Sequence, residues 1–166
     1  MRISALKPKP KLSLTMWVNH LSLLPGDESV VTSFSAISPG VGSGLSGLAI
    51  QSTTTGDTGG DKVVEKSLDI PPGFLVKGVR VGYENSNARS YITQVRLAQV
   101  QNPPARAVVM LDDATPLDTA GPAFADSAAT TIDPAAGPLL LSLRMNFADT
   151  SDKIVVRGLG LHLVRA

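Results

Sequence analysis

The stretch FLVKGVRVGY, residues 74–83, predicts the fold of this chain more directly than any other segment. Apolar side chains recur along it with a period of two, which is the side-chain period of a β-strand. One predicted face carries Leu75, Lys77, Val79, Val81 and Tyr83, and the other carries Val76, Gly78, Arg80 and Gly82. The segment is therefore predicted to be a strand with one mainly apolar face directed at a core.

A second strand is predicted immediately after the first. The polar run ENSNARS, residues 84–90, is typical of a turn, and YITQVRLAQV, residues 91–100, alternates again. Its more apolar side carries Tyr91, Thr93, Val95 and Leu97. Two such runs joined by a short polar turn are typical of an antiparallel hairpin with one buried face. We therefore expect residues 74–83 to pair with residues 91–100.

The rest of the chain repeats this pattern between turn signals. Further strands are predicted at residues 11–18, 29–37, 47–52, 62–70, 106–111, 138–147 and 153–164. In the last of them, the predicted inward residues are Val155, Leu159, Leu161 and Leu163, and the opposite side holds Gly158, Gly160 and His162. Residues 112–138 are rich in Ala, Asp, Thr and Pro and are predicted to be a loop, with one short pairing at residues 130–132.

These strands define the predicted fold class and domain organisation. About eight strands, spaced by turn signals and with no convincing helix of about ten residues, predict an all-β, two-sheet antiparallel sandwich that is jelly-roll-like. A chain of 166 residues fits one domain. Residues 1–11 contain KPKPK and are predicted to be a basic, proline-rich arm, because this composition favours an extended backbone. Residues 12–166 are predicted to be a single β-sandwich domain.

Composition and charge exclude several functional classes. The chain has no cysteine, which excludes disulfides and thiolate metal sites. Its formal net charge is +1, so no strong field favours nucleic acid as a partner. No apolar run approaches the roughly 20 residues that cross a bilayer, so no membrane span is predicted. Because Asn19 and His20 interrupt the apolar run that follows the basic N-terminus, we expect a cytoplasmic location by default, with export left open.

The second half of the chain resembles a class of bacterial β-sandwich domains of mostly unassigned function. Their pattern is a strand, a proline–glycine turn, an alternating strand that ends in tyrosine, and a late strand with a glycine among apolar residues. Those places are held here by Ile70-Pro71-Pro72-Gly73, by Val76, Val79, Val81 and Tyr83, and by Gly158. The resemblance covers about residues 61–166 and implies a sandwich fold; it implies no active-site residue.

The glycine-rich stretch TTTGDTGGDK, residues 53–62, is the first candidate site. It lacks the spacing of a phosphate-binding loop, and a strand rather than a helix follows it. Asp57 and Asp61 are candidate calcium ligands, but a calcium site takes six or more oxygen ligands. Glycine and aspartate are also ordinary turn residues. The favoured interpretation is a flexible connection between strands, and no metal or cofactor is predicted.

Catalytic candidates are few. The two histidines, His20 and His162, could act with a carboxylate, and Asp112 and Asp113 form an adjacent carboxylate pair. No nucleophile elbow between a strand and a helix accompanies them. Adjacent residues of a strand point to opposite faces, so the two aspartates are expected to end the strand at residues 106–111 in a turn. Whether the chain is an enzyme stays open, with a non-enzymatic role favoured.

Trp17 is the candidate ligand-binding residue. Sugar-binding faces stack sugar rings on exposed aromatic side chains, and only 4% of this chain is aromatic. Trp17 is out of phase with Leu12, Leu14 and Met16 and could therefore form such a platform. The alternative is a tryptophan at the sandwich edge that covers the core, because tryptophan is mostly buried on average.

Several strands are apolar on both faces, notably AVVML, PLLLSL and KIVV. A two-layer sandwich covers one face of each sheet, so the apolar surplus predicts contacts with a partner; draped loops are the alternative. The favoured function is a non-enzymatic binding or structural module that forms a homo-oligomer through an apolar sheet face. The alternatives are a small enzyme or ligand-binding protein that uses His162 or His20 with a carboxylate, and a shell or capsid-like subunit. A glycan or small molecule is a possible ligand.

Overall fold

The computed structural model describes residues 11–35, 47–57, 62–119 and 121–166. These ranges contain eleven β-strands and two short 3₁₀ segments, His20–Ser22 and Pro134–Ala136. The strands are β1 Ser13–Val18, β2 Leu24–Pro25, β3 Val30–Ser35, β4 Gly47–Ser52, β5 Val63–Leu68, β6 Phe74–Asn85, β7 Tyr91–Val100, β8 Ala107–Asp113, β9 Ala123–Asp126, β10 Leu139–Asn146 and β11 Ile154–Arg165. The predicted arm, apart from Lys11, lies outside the described residues.

The strands form two antiparallel sheets. The first sheet has the order β3-β4-β11-β6-β9, and β1 also pairs with β11; the second has the order β2-β5-β10-β7-β8. The all-β, two-sheet prediction is confirmed. In the described parts of the chain, no helix has the length and apolar character of a membrane span.

The predicted hairpin of residues 74–83 with residues 91–100 is wrong. β6 pairs with β11 and β9 in the first sheet, whereas β7 pairs with β10 and β8 in the second. Residues 86–90 therefore cross from one sheet to the other. A strand with one apolar face can bury it against the opposite sheet whichever neighbour it pairs with, so local alternation does not identify that neighbour.

Because of two β-bulges, some side chains of the two longest strands, β6 and β11, face the opposite side from the one predicted. Along β6, Val79 and Val76 pair with Leu161 and Leu163 of β11, so β6 contains one extra residue between them. Val76 is consequently buried in the core and Leu75 is not. The second bulge is at Arg157 of β11, where an extra residue changes which side chains face inward.

The second bulge has the same effect on β11. Val156 is fully buried in the core cluster, whereas Val155 lies outside that cluster, next to Gly47 on the outer face. The prediction that Val155 faces inward is therefore wrong. A bulge moves every side chain on one side of it to the other face of the strand.

The core lies between the two sheets. Its largest fully buried side chains are Phe147, Ile50, Ile92, Leu97, Ile132, Leu139, Leu141, Leu143, Met145, Ile154, Leu159 and Leu161. Each such side chain contributes roughly 1.5–3 kcal/mol by leaving water. Ile132 also pairs with Val76, so the short pairing predicted at residues 130–132 is present. Strand β9 was not predicted, since its sequence AFAD lies within the Ala- and Asp-rich segment.

Candidate functional site

The outer face of the first sheet, which points away from the core, has a floor of glycine. Gly82 of β6 pairs with Gly158 of β11, and Gly160 is the next outward residue of β11. We call Gly82, Gly158 and Gly160 the glycine floor. A Cβ atom at Gly82 would lie 2.6 Å from Cε1 of Phe124, and one at Gly160 would lie 3.3 Å from Cε3 of Trp17. The missing side chains therefore let two aromatic rings lie directly on the backbone.

Those two rings, the aromatic pair, are both exposed. Trp17 is 57% exposed and Phe124 is 55% exposed. Their centroids are 5.7 Å apart and their planes are inclined by 57°. Trp17 comes from β1, where it pairs with Gly160, and Phe124 comes from β9, where it pairs with Gly82. The tertiary structure thus combines two strands that lie far apart in the sequence into one apolar surface.

The exposure of Trp17 decides between its two predicted positions. The neighbouring residue Met16 pairs with Leu161 and packs against the core, so Trp17 points to the opposite side of β1. The alternative of an edge tryptophan that covers the core is therefore wrong. The side chain lies on the glycine floor instead, with a large apolar surface open to solvent.

A chain of four polar side chains runs beside the aromatic pair. Nδ1 of His162 lies 3.2 Å from Oγ1 of Thr15, and Nε2 of His162 lies 2.7 Å from Oδ1 of Asp126. Asp126 in turn accepts from Nη1 of Arg80, at 2.9 Å and 3.1 Å from its two oxygens. The guanidinium of Arg80 lies 4.9 Å from the centroid of Phe124. This polar chain therefore ends against the aromatic pair.

The polar chain holds its carboxylate in the ionised form. The hydrogen bond from His162 lowers the pKa of Asp126 below its ordinary value, and the positive charge of Arg80 lowers it further. A neutral His162 ring can donate from Nε2 to Asp126 and accept at Nδ1 from the hydroxyl of Thr15. The side chains of His162 and Asp126 are 34% and 50% exposed, so both remain accessible to a ligand.

The order hydroxyl, imidazole, carboxylate also occurs in hydrolases. Such enzymes rely on a water-excluded site, in which fixed dipoles act strongly on the transition state. Here the three groups lie partly solvated on the outer face of the first sheet. The three groups are therefore more solvated than the groups on which such catalysis relies.

The other predicted site residues lie elsewhere in the fold. His20 begins the 3₁₀ segment after β1. Asp112 forms an ion pair with Arg96 at 3.2 Å on the second sheet. Asp113 accepts hydrogen bonds from the backbone nitrogens of Thr115 and Ala128. The two aspartates stand at the end of β8 and bind different partners, so they do not act as a pair.

The candidate metal ligands are only partly described. Asp57 is exposed, and Asp61 lies outside the described residues. Elsewhere in the described ranges, no group of three or more histidine, aspartate or glutamate side chains is arranged to hold a metal ion. The connection at residues 53–62 joins β4 of the first sheet to β5 of the second.

Sequence reasoning missed most of this site. Thr15, Arg80, Phe124 and Asp126 had no motif to mark them. One signal was present: outward glycines recur in both β6 and β11, and glycine within a strand often marks a place where another group approaches the backbone closely.

Comparison with known proteins identifies the fold class first. No protein-family model matches the chain, and no curated protein sequence matches it. The CBM36-1 domain of a multidomain xylanase from the hindgut metagenome of Trinervitermes trinervoides is similar in structure, with a TM-score of 0.50 and 11% identity, over 90% of this chain and 96% of that chain. This likeness shows the fold: a jelly-roll β-sandwich.

Two further solved structures are similar at TM-scores just below that value. A carbohydrate-binding module CBM36 in complex with calcium and xylotriose has a TM-score of 0.48 and 13% identity, over 90% of this chain and 98% of that chain. A CBM4 structure has a TM-score of 0.47 and 13% identity, over 84% of this chain and 96% of that chain.

Proposed function

We propose that this chain is a non-enzymatic carbohydrate-binding module whose ligand lies on the outer face of the first sheet. The observation that carries the proposal is the aromatic pair: two exposed rings on a glycine floor, next to a chain of hydrogen-bonding side chains. This combination matches the two kinds of surface that a sugar ring presents.

The apolar surface of a sugar ring consists of C–H groups, which pack against the face of an aromatic ring. Its hydroxyl groups require donors and acceptors at the rim of the same site. Asp126 supplies accepting oxygens and Arg80 supplies donors, and both side chains are already held by each other and by His162. Because these groups are pre-ordered, less side-chain entropy is lost on binding.

The structural neighbours support the choice of ligand class. CBM36 is a carbohydrate-binding module, and the CBM36-1 domain, which has a TM-score of 0.50, comes from a xylanase. Xylan is therefore the first polysaccharide to test. Other chains of linked sugars present the same surfaces, so mixed-linkage β-glucan and mannan belong in the same test.

Native gel electrophoresis in the presence of each soluble polysaccharide tests the proposal. We expect at least one of the three to retard the wild-type chain, and Trp17→Ala and Phe124→Ala to abolish most of that retardation. Phe34→Ala is the matched control, since Phe34 is a 65% exposed aromatic on β3 that does not belong to the aromatic pair. The proposal fails if none of the three retards the wild type, or if the Trp17 and Phe124 variants behave like the control.

Self-association is a second candidate function. Val108, Val109 and Met110 of β8 are consecutive, and each is more than one-third exposed. β8 is also the last strand of its sheet. An exposed apolar strand at a sheet edge favours pairing with another copy of the chain. Light scattering over a range of concentrations tests this, and a monomer at every concentration would refute it.

A further inference from the structure

A pocket of about 250 Å³ lies on the same outer face as the aromatic pair. Its lining residues are Gly82, Tyr83, Pro122, Ala123, Phe124 and Arg157. The strand register places it beyond Phe124: Arg80 and Asp126 lie toward one end of β6, and Tyr83 and Ala123 lie toward the other. One ring, Phe124, therefore belongs to both the aromatic pair and the wall of this pocket.

Among the described residues that line the pocket, Arg157 forms a polar wall, and its side chain is fixed in place. Arg157 donates from Nε and Nη2 to Oε2 of Glu84, at 3.0 Å and 2.6 Å, and from Nη1 to the carbonyl of Ser35 at 3.4 Å. The guanidinium is held in one orientation, and its charge is balanced by Glu84. Mainly apolar walls with a few well-placed polar groups are typical of a small-molecule subsite.

The arrangement of the aromatic pair indicates how many sugar residues the face accommodates. The planes of Trp17 and Phe124 are inclined by 57°, so one flat sugar ring cannot stack on both. Successive outward residues of a strand are about 6.6 Å apart. In the strand register, Trp17 is level with Gly160 and Arg80, Phe124 is level with Gly82, and the pocket lies beside Tyr83 at the next position.

We infer that the pocket is a further sugar subsite, and that the ligand is a linear oligosaccharide whose successive rings contact Trp17, Phe124 and the pocket. This inference rests on the proposed function and specifies its ligand: a chain of linked sugars rather than a single sugar. Arg157 would form the polar wall beside the sugar residue in the pocket, while Phe124 packs against the ring.

Isothermal titration calorimetry of the whole chain tests the inference. The probes are xylose, glucose and mannose together with the linear oligosaccharides, from disaccharide to hexasaccharide, of xylan, cellulose and mannan. For one series, we expect affinity to rise about tenfold or more between the disaccharide and the tetrasaccharide, a gain of about 1.4 kcal/mol or more. Affinity should then level off, because longer chains extend beyond the three contact points. This length dependence is measured on the wild type and requires no variant.

A variant then locates the additional subsite. Pro122 is exposed in the loop before β9, so Pro122→Trp fills the pocket without disturbing the core. We expect this variant to bind the disaccharide as the wild type does and to lose most of the gain with length. Pro104→Trp, at an exposed position of the loop after β7, is the matched control and should keep that gain.

The outcomes separate the inference from the proposed function. Binding whose affinity does not change with chain length, or a Pro122→Trp variant that equals the control at every length, overturns the subsite and leaves the module proposal intact. If the wild type binds no sugar of any series, both the subsite and the proposed function are refuted.

Discussion

The indole of Trp17 lies directly on the backbone of Gly160, its cross-strand neighbour: a Cβ atom at Gly160 would be 3.3 Å from Cε3 of the ring. The same missing Cβ makes room for Thr15, whose Cγ2 would be 2.8 Å away. One glycine thus allows both the apolar surface and the first residue of the polar chain to occupy their positions. The site depends on the absence of a side chain as much as on the presence of others.

Gly160→Ala should therefore weaken both the fold and glycan binding. The methyl group would overlap Thr15, a stiff β-branched side chain, and relieving such overlap costs about 1–3 kcal/mol. Chemical denaturation measures this loss, and gel retardation measures binding. Gly158→Ala is the control, because its methyl group would make only ordinary contacts at 3.7 Å with the two rings. Equal behaviour of the two variants would contradict the role assigned to Gly160.

Gly82→Ala should separate binding from stability. Its Cβ would lie 2.6 Å from the ring of Phe124, and this exposed ring can move toward solvent. We expect a change in the free energy of unfolding below about 1 kcal/mol, because exposed side chains relax easily, together with weaker retardation by polysaccharide. Denaturation midpoints and retardation measured on the same preparation check this. Unchanged retardation would mean that the position of Phe124 does not matter.

The stability of the wild type should depend on Asp126 at low pH. The hydrogen bond from His162, followed by the charge of Arg80, lowers the pKa of Asp126 below its ordinary value of 3.8. A lowered pKa in the folded state stabilises the fold above pH 3.8, and that stability is lost as the pH falls through the folded-state pKa.

Asp126→Asn provides the comparison. We expect the difference in melting temperature between the wild type and Asp126→Asn to shrink as the pH is lowered from about 5 to 2, because the wild type loses its ionised carboxylate there. The effect should be small, since the side chain is half exposed and water screens its charge. A difference that stays constant across this range would contradict the assignment.

Asp152 should stabilise the crossing between β6 and β7. It is 6% exposed and accepts hydrogen bonds of 2.5 Å from Ser90 and from Asn87, both in that crossing. Asp152→Ala leaves the buried hydroxyl of Ser90 without this acceptor, which costs about 1–3 kcal/mol. Chemical denaturation measures the loss. Asp149 is exposed and lies, like Asp152, between β10 and β11. Asp149→Ala should cost clearly less stability than Asp152→Ala, and equal losses would refute the proposed role of Asp152.

Removal of metal should leave glycan binding unchanged. The donors and acceptors of the site belong to Thr15, Arg80, Asp126 and His162, which satisfy one another directly. We expect the same retardation by polysaccharide, and the same melting temperature, in calcium and in EDTA. A melting temperature raised by calcium would show that the fold binds this ion. Asp57 and Asp61 would then be the candidate ligands to test.

The alternation of side chains was sufficient to predict most of the strands, because a period of two is a local property of the backbone. Residues 74–83 and 91–100 are strands, as expected, and His162 lies on the outer side of β11 as its position among alternating leucines predicted. The prediction failed where a bulge shifts the alternation, as at Arg157, because a single extra residue leaves no clear mark in composition.

The candidate site was less predictable than the fold. Trp17 was identified because it is out of phase with its apolar neighbours. Phe124 was not, since its short strand AFAD has no strong pattern of its own and is held by pairing with β6. Asp126 and His162 are 36 residues apart, so no local motif could connect them.

The sequence alone determined that the chain is an all-β sandwich, because the alternation of apolar and polar residues is set residue by residue. Only the tertiary structure decided which strands are neighbours: β6 lies beside β11 rather than β7, and β1 and β9 place Trp17 and Phe124 on one glycine floor. The physical reason is that strand pairing is decided by long-range packing and backbone hydrogen bonds, and many strands with the same alternation satisfy those requirements equally well until the whole chain is folded.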